Sequence, residues 1–137
     1  MDREQSWQKW FDAAFDSLTA AQLLEKSGHF RSSASRGYYA GYQAATSLLL
    51  YAKQVPLEGR EAWSHEATPE LIRKLPATFL TQAKKHDLAT RLGDLYKLRL
   101  RADYKFENEI DNVSLDKSLK SSVYLVRSIG SILDLER

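Results

Sequence analysis

The chain has 137 residues, 43% of them apolar, with three Trp, seven Tyr, five Phe and a net charge of only +2. That is the length of one domain with apolar side chains enough for a packed core, which excludes a disordered chain. The absence of cysteine excludes a disulfide scaffold and thiolate metal sites. No run approaches the roughly 20 apolar residues of a membrane span, and Met1 to Trp7 is polar with no apolar signal core. The expectation is a cytoplasmic protein of one domain over residues 1–137, with no membrane association.

Helical periodicity covers most of the length, and Pro and Gly are scarce. The first helix is expected from Ser6, as N-cap, to Lys26, with Trp7, Trp10, Phe11, Ala14, Leu18, Ala21 and Leu24 near one face. Ser27-Gly28-His29 ends it. The second is expected from Phe30 to Lys53 and is the least polar stretch. Ala34, Tyr38, Tyr42, Ala45 and Leu49 form one stripe, and Tyr39, Ala44, Leu48 and Tyr51 widen it. A helix this apolar has to be covered on several sides, so it is expected at the centre. Gly37 and Gly41 share one of its faces and invite close approach of another helix.

Gln54 to Ser64 reads as a loop around Pro56 and Gly59. Thr68-Pro69-Glu70 opens a short third helix, with Thr68 as the capping hydroxyl. Pro76 stops or kinks it, so that Leu71–Leu75 and Ala77–Gln82 become separate pieces. The fourth helix is expected from Asp87 to Tyr104, and a polar loop from Lys105 to Asn112 follows. The fifth is expected from Ser114 to Leu135, with Leu115, Leu119, Val123, Val126, Ile129 and Leu133 inward. Nothing alternates with period two, so the fold class is all-α.

The fourth helix carries the most informative stretch, Leu98 to Tyr104. Leu88, Leu92 and Leu95 mark its buried stripe, and the same stripe continues to Arg99 and Ala102. An arginine is thereby delivered onto the buried face, where a guanidinium needs a partner or a wet cleft. Asp103 lies one turn on, within reach. From Lys84 to Lys105 seven Lys or Arg face three Asp, a local surplus of four, with Tyr96 and Tyr104 interleaved. Such a surface suits phosphates and a stacked base. Arg31 and Arg36 are placed to add to it. The three histidines are scattered, and no metal template, Gly-rich phosphate loop or paired-acid arrangement is present, so neither metal nor cofactor is expected. Arg60 and His65 have the spacing of an arginine–histidine pair in some metal-independent ribonucleases, although the match falls in a loop region with Pro and Gly nearby.

Taken in order, these pieces resemble a HEPN domain, the higher-eukaryote and prokaryote nucleotide-binding helical family, and most closely its small stand-alone prokaryotic members. The likeness is carried by Trp10 with Asp16 to Leu24, by Gly28-His29-Phe30, and by Ser33 to Ala45 with its Tyr-Tyr-Ala core at 38–40. Ser64-His65, Phe79 and Leu95 to Tyr104 complete it. The resemblance implies an up-and-down bundle of four to five helices, usually a homodimer, often paired with a minimal nucleotidyltransferase in toxin–antitoxin or defence modules, and in many members a ribonuclease. The nuclease motif is an Arg followed after four to six residues by a His. Arg99 takes the arginine position, but Tyr104, Lys105 and Phe106 occupy the three allowed histidine positions. Tyrosine, with a pKa near 10, is a poor base at neutral pH.

Three readings stay open from sequence. In the first, the chain binds nucleotide, RNA or a nucleotidyltransferase partner without an intact Arg–His motif. Its site would be Arg99, Asp103 and Tyr104, with His65, Tyr38, Tyr39 and Arg36 converging on them. In the second it is a metal-independent ribonuclease toxin, with Arg99 and His65 catalytic. In the third it is a structural dimerisation module in which Arg99 and Asp103 form a structural pair. The two glycines and the tyrosine-rich second helix suggest an apolar overhang that a homodimer would cover.

Overall fold

The computed structural model describes residues 3–107 and 109–134, with side chains from residue 6 onward. The described residues form five helices and no strand: α1 (Arg3–Lys26), α2 (Phe30–Tyr51), α3 (Thr68–Arg73), α4 (Gln82–Tyr104) and α5 (Asn112–Leu133). No described helix is long and apolar enough to cross a membrane.

Pairs of touching residues set the topology. Between α1 and α2, Ser33 Oγ donates to the Ala21 carbonyl at 2.7 Å, Ser17 bonds Gln43 at 2.7 Å, and Trp7 meets Tyr51 edge-on. As one number rises the other falls, so these helices are antiparallel. The same holds for α2 against α4 (Ser35 with Asp103, Tyr39 with Arg99) and for α4 against α5 (Lys84 with Ser128, Arg91 with Ser121). The four long helices thus run up, down, up, down, and α3 packs on α2 and α4. As expected, α2 is central: it alone touches all four other helices.

Gly37 and Gly41 make that position tenable. A Cβ on Gly37 would stand 3.0 Å from Ser122 Oγ and 3.1 Å from Leu119 Cδ2; one on Gly41 would stand 3.0 Å from both Leu125 Cδ1 and Leu95 Cδ1. Each glycine costs a helix about 1 kcal/mol against alanine. The return here is close packing of α4 and α5, with Ser122 Oγ donating to the Gly37 carbonyl at 2.9 Å. The two-glycine part of the expected overhang is therefore covered within the chain, while Tyr51 at the end of α2 is exposed.

Several boundaries differ from expectation for local reasons. The first helix already begins at Arg3, so Ser6 is not its cap. Helix α2 stops at Tyr51, and Lys53 takes a left-handed backbone with φ of 65°. Thr68 does not cap α3; its hydroxyl donates back to the Ser64 carbonyl at 2.7 Å. After Pro76 the chain makes a turn rather than a helix and delivers Thr81, whose hydroxyl accepts from Lys84 N at 3.1 Å and starts α4 at Gln82 instead of Asp87. Asp111 caps α5, accepting from Ser114 N at 2.7 Å, so the helix starts at Asn112, two residues before the expected start. The expected end at Leu135 lies outside the described residues.

Candidate functional site

The site lies where the first half of α2 faces the last half of α4. On α2, Ser35, Tyr38, Tyr39 and Tyr42 recur at helical spacing; on α4, Tyr96, Arg99 and Asp103 do the same. Antiparallel packing sets Tyr39 against Arg99 and Ser35 against Asp103. The buried stripe of α4 runs through Leu95, Leu98 and Ala102, with Arg99 on its edge at 12% side-chain exposure. Arg99 Nε donates to Asp103 Oδ2 at 2.8 Å, and Nη2 donates to the Tyr39 hydroxyl at 3.2 Å. Burial on its own would lower the Arg99 pKa. The oxygens of Tyr39, Asp103 and Tyr104 outweigh that, and the guanidinium is held charged more firmly than a free one.

Two further groups complete this cationic corner. Arg36 lies over the Tyr39 ring, 4.8 Å from its centroid, so Tyr39 carries guanidinium groups from both helices. Tyr104, 66% exposed, has its ring 5.5 Å from the Arg99 guanidinium. Arg31, expected on this surface, has another task. Its Nη1 donates to the carbonyls of Arg101 (3.2 Å), Ala102 (3.0 Å) and Lys105 (3.4 Å), and Nη2 to that of Phe106 (3.2 Å). A cation there satisfies orphan carbonyls and the negative end of the helix dipole, and it anchors the turn bearing Asp103 and Tyr104.

The chain between α2 and α3 supplies the remaining side. The Tyr42 hydroxyl donates to the Trp63 carbonyl, which pins this segment to α2. His65 is thereby set among Tyr38, Tyr39, Tyr42 and Tyr96, stacked on Tyr96 and bonded through Nδ1 to the Tyr38 hydroxyl at 2.5 Å. Burial first, and then the Arg99 charge, push the His65 pKa below its ordinary value against the pull of Glu66. Tyr38 is fully buried, and burial drives its pKa far up, so it remains a phenol. Glu66 accepts from the Tyr96 hydroxyl at 3.0 Å.

All seven residues singled out in the sequence (Arg99, Asp103, Tyr104, His65, Tyr38, Tyr39, Arg36) thus fall into one contiguous network. Arg60 does not join it; it borders a separate groove with Ser6, Lys9 and Trp10. Sequence reasoning missed Glu66, the seat of Trp63 and the helix-end clamp of Arg31. Tyr42 and Tyr96 were visible as one-turn neighbours of Tyr38 and Arg99. Among the described residues, no three of His, Asp and Glu converge as metal ligands. In comparisons with known proteins, the chain matches no family model and no curated protein.

Proposed function

We propose that this chain is a HEPN-like protein that binds single-stranded RNA by its phosphates at the α2–α4 corner, with Tyr104 as a stacking surface for a base. One observation carries this reading. A guanidinium has five N–H donors, and Arg99 uses one on Asp103 and one on Tyr39. Among the described residues the other three have no partner, on a side chain only 12% exposed. Among the described residues Arg99 Nη1 is not one of the sealed polar atoms, so these donors meet solvent through a narrow opening, where an oxyanion gains charge-assisted hydrogen bonds. Arg36 adds a second positive charge to set against Asp103, and an exposed aromatic ring beside a cationic groove suits an unpaired base.

The HEPN likeness also carries two associations into this reading, a homodimer and a minimal nucleotidyltransferase partner in a toxin–antitoxin or defence module. Light scattering and co-purification test them. Ribonuclease action by Arg99 with His65 is the second reading, favoured by the reach of the Arg99 charge to His65.

The experiment is a binding assay with a fluorescent single-stranded RNA in EDTA, run beside a gel of the same mixtures. The expected outcome is intact RNA bound by the wild type and released by Arg99→Ala. RNA cut by the wild type and not by Arg99→Ala would establish the ribonuclease reading instead. Competition by a mononucleotide as strong as by the oligonucleotide would reassign the ligand to a free nucleotide.

A further inference from the structure

The Tyr38–His65 contact decides which imidazole nitrogen carries the proton. Tyr38 is fully buried, and among the described residues His65 Nδ1, at 2.5 Å, is the sole hydrogen-bond partner of its hydroxyl. A buried hydroxyl proton without an acceptor costs about 1–3 kcal/mol, so the phenol donates and Nδ1 must be bare. Burial of the ring, and then the Arg99 charge, also disfavour a positive charge on His65. The remaining proton is then on Nε2. Among the described residues Nε2 has no hydrogen-bond partner and is not one of the sealed polar atoms, so it is open to a ligand.

We propose that Tyr38 is a positioning residue that locks His65 as a neutral Nε2–H donor, and that this donor takes a phosphate oxygen of the ligand alongside Arg99. The inference rests on the RNA-binding reading for its ligand, whereas the tautomer follows from the fold alone. It also bears on chemistry. A nitrogen that already holds its proton does not accept one from a ribose hydroxyl, and a bare Nδ1 facing the core reaches no substrate. The site so built suits recognition of phosphate and denies His65 the general-base role that the ribonuclease reading would need.

Long-range proton–nitrogen NMR of the imidazole at pH 7.5 reads the tautomer directly. The wild type is expected to show one pyridine-like and one pyrrole-like nitrogen for His65, assigned as Nδ1 and Nε2. Tyr38→Phe, which keeps the ring and removes the lock, is expected to give averaged shifts. A proton on Nδ1 in the wild type, or identical spectra in Tyr38→Phe, overturns the proposal. For the ligand, His65→Gln retains an N–H near the Nε2 position and is expected to hold RNA affinity within about threefold, while His65→Leu loses roughly tenfold. Equal affinity in both variants overturns the donor role. RNA that fails to bind the wild type overturns the binding reading and the donor role together, while the nitrogen shifts still decide the tautomer.

Discussion

Tyr39 and Tyr124 sit on different flanks of α4, one where it faces α2 and the other where it faces α5, and each ring is attended by two cationic side chains. At Tyr124 they are Lys84 (4.5 Å) and Arg91 (4.1 Å). Lys84 Nζ donates to the Tyr124 hydroxyl at 2.7 Å and to Ser128 Oγ at 3.3 Å; Arg91 donates to Asp87 at 3.1 Å and Ser121 at 3.2 Å. The Tyr124 hydroxyl and then Arg91 hold the Asp87 carboxyl below its ordinary range. These bonds strap α4 to α5. Each arginine keeps three donors without a partner among the described residues; those of Arg91, 35% exposed, lie in open solvent, and those of Arg99, 12% exposed, open to it through a narrower window. Similar composition thus produces a strap between α4 and α5 on one flank and, on the reading proposed above, a phosphate site on the other. The two flanks differ in how narrowly the unpartnered donors open to solvent, not in how many positive charges are present.

The widest separation between the two clusters is expected in RNA affinity. Arg99→Ala should weaken binding by roughly ten- to a hundredfold, the range of hydrogen bonds to charged groups, while Arg91→Ala should change it by less than about twofold. Equal losses in a binding titration would erase the distinction. Next comes Tyr104→Ala, expected to cost roughly fivefold or more through lost base stacking, with Tyr124→Ala as the control that leaves binding unchanged.

Stability should reverse the order. Replacing Lys84 and Arg91 together by Ala is expected to cost about 1 kcal/mol, or a few degrees in Tm. Arg99→Ala should cost less, because removing a desolvated guanidinium offsets the loss of its pair with Asp103. A large drop in Tm from Arg99→Ala with no change in binding would instead support a structural Arg99–Asp103 pair. The smallest effect concerns pH. The folded chain lowers the His65 pKa, so on acidification the unfolded chain takes up that proton first. Stability from this group is complete above the unfolded value near 6.5 and declines as pH falls through it. Chemical denaturation at pH 7.5 and 5.5 should show a smaller difference for His65→Gln than for the wild type.

Much of this architecture was legible because it rests on periodicity. The Leu88–Leu92–Leu95 stripe led to Arg99, and the tyrosines of α2 share a face that follows from their spacing alone. The division of the Lys84–Lys105 surplus was not legible. Lys85 reads as a surface charge, yet it is 4% exposed with Nζ donating to the Leu75 carbonyl at 2.5 Å. The polar run from Gln82 to His86 hides the first turn of α4, which Thr81 starts by a cap rather than by an apolar pattern. His65 is a candidate from sequence, but its seat depends on a loop return fastened by Tyr42 to a backbone carbonyl, and no side-chain pattern encodes such a bond. Arg31 reads from sequence as part of the basic surface, since its four carbonyl partners lie some 70 residues away and no local pattern points to them.

The central claim is that the unpaired donors of Arg99 hold an RNA phosphate. It is tested most directly by measuring the affinity for a single-stranded oligonucleotide across a salt series, for the wild type and Arg99→Ala. One lost phosphate contact should weaken binding and make the slope of log K against log salt shallower by about 0.7. Matching affinities and slopes in the two proteins would contradict the account.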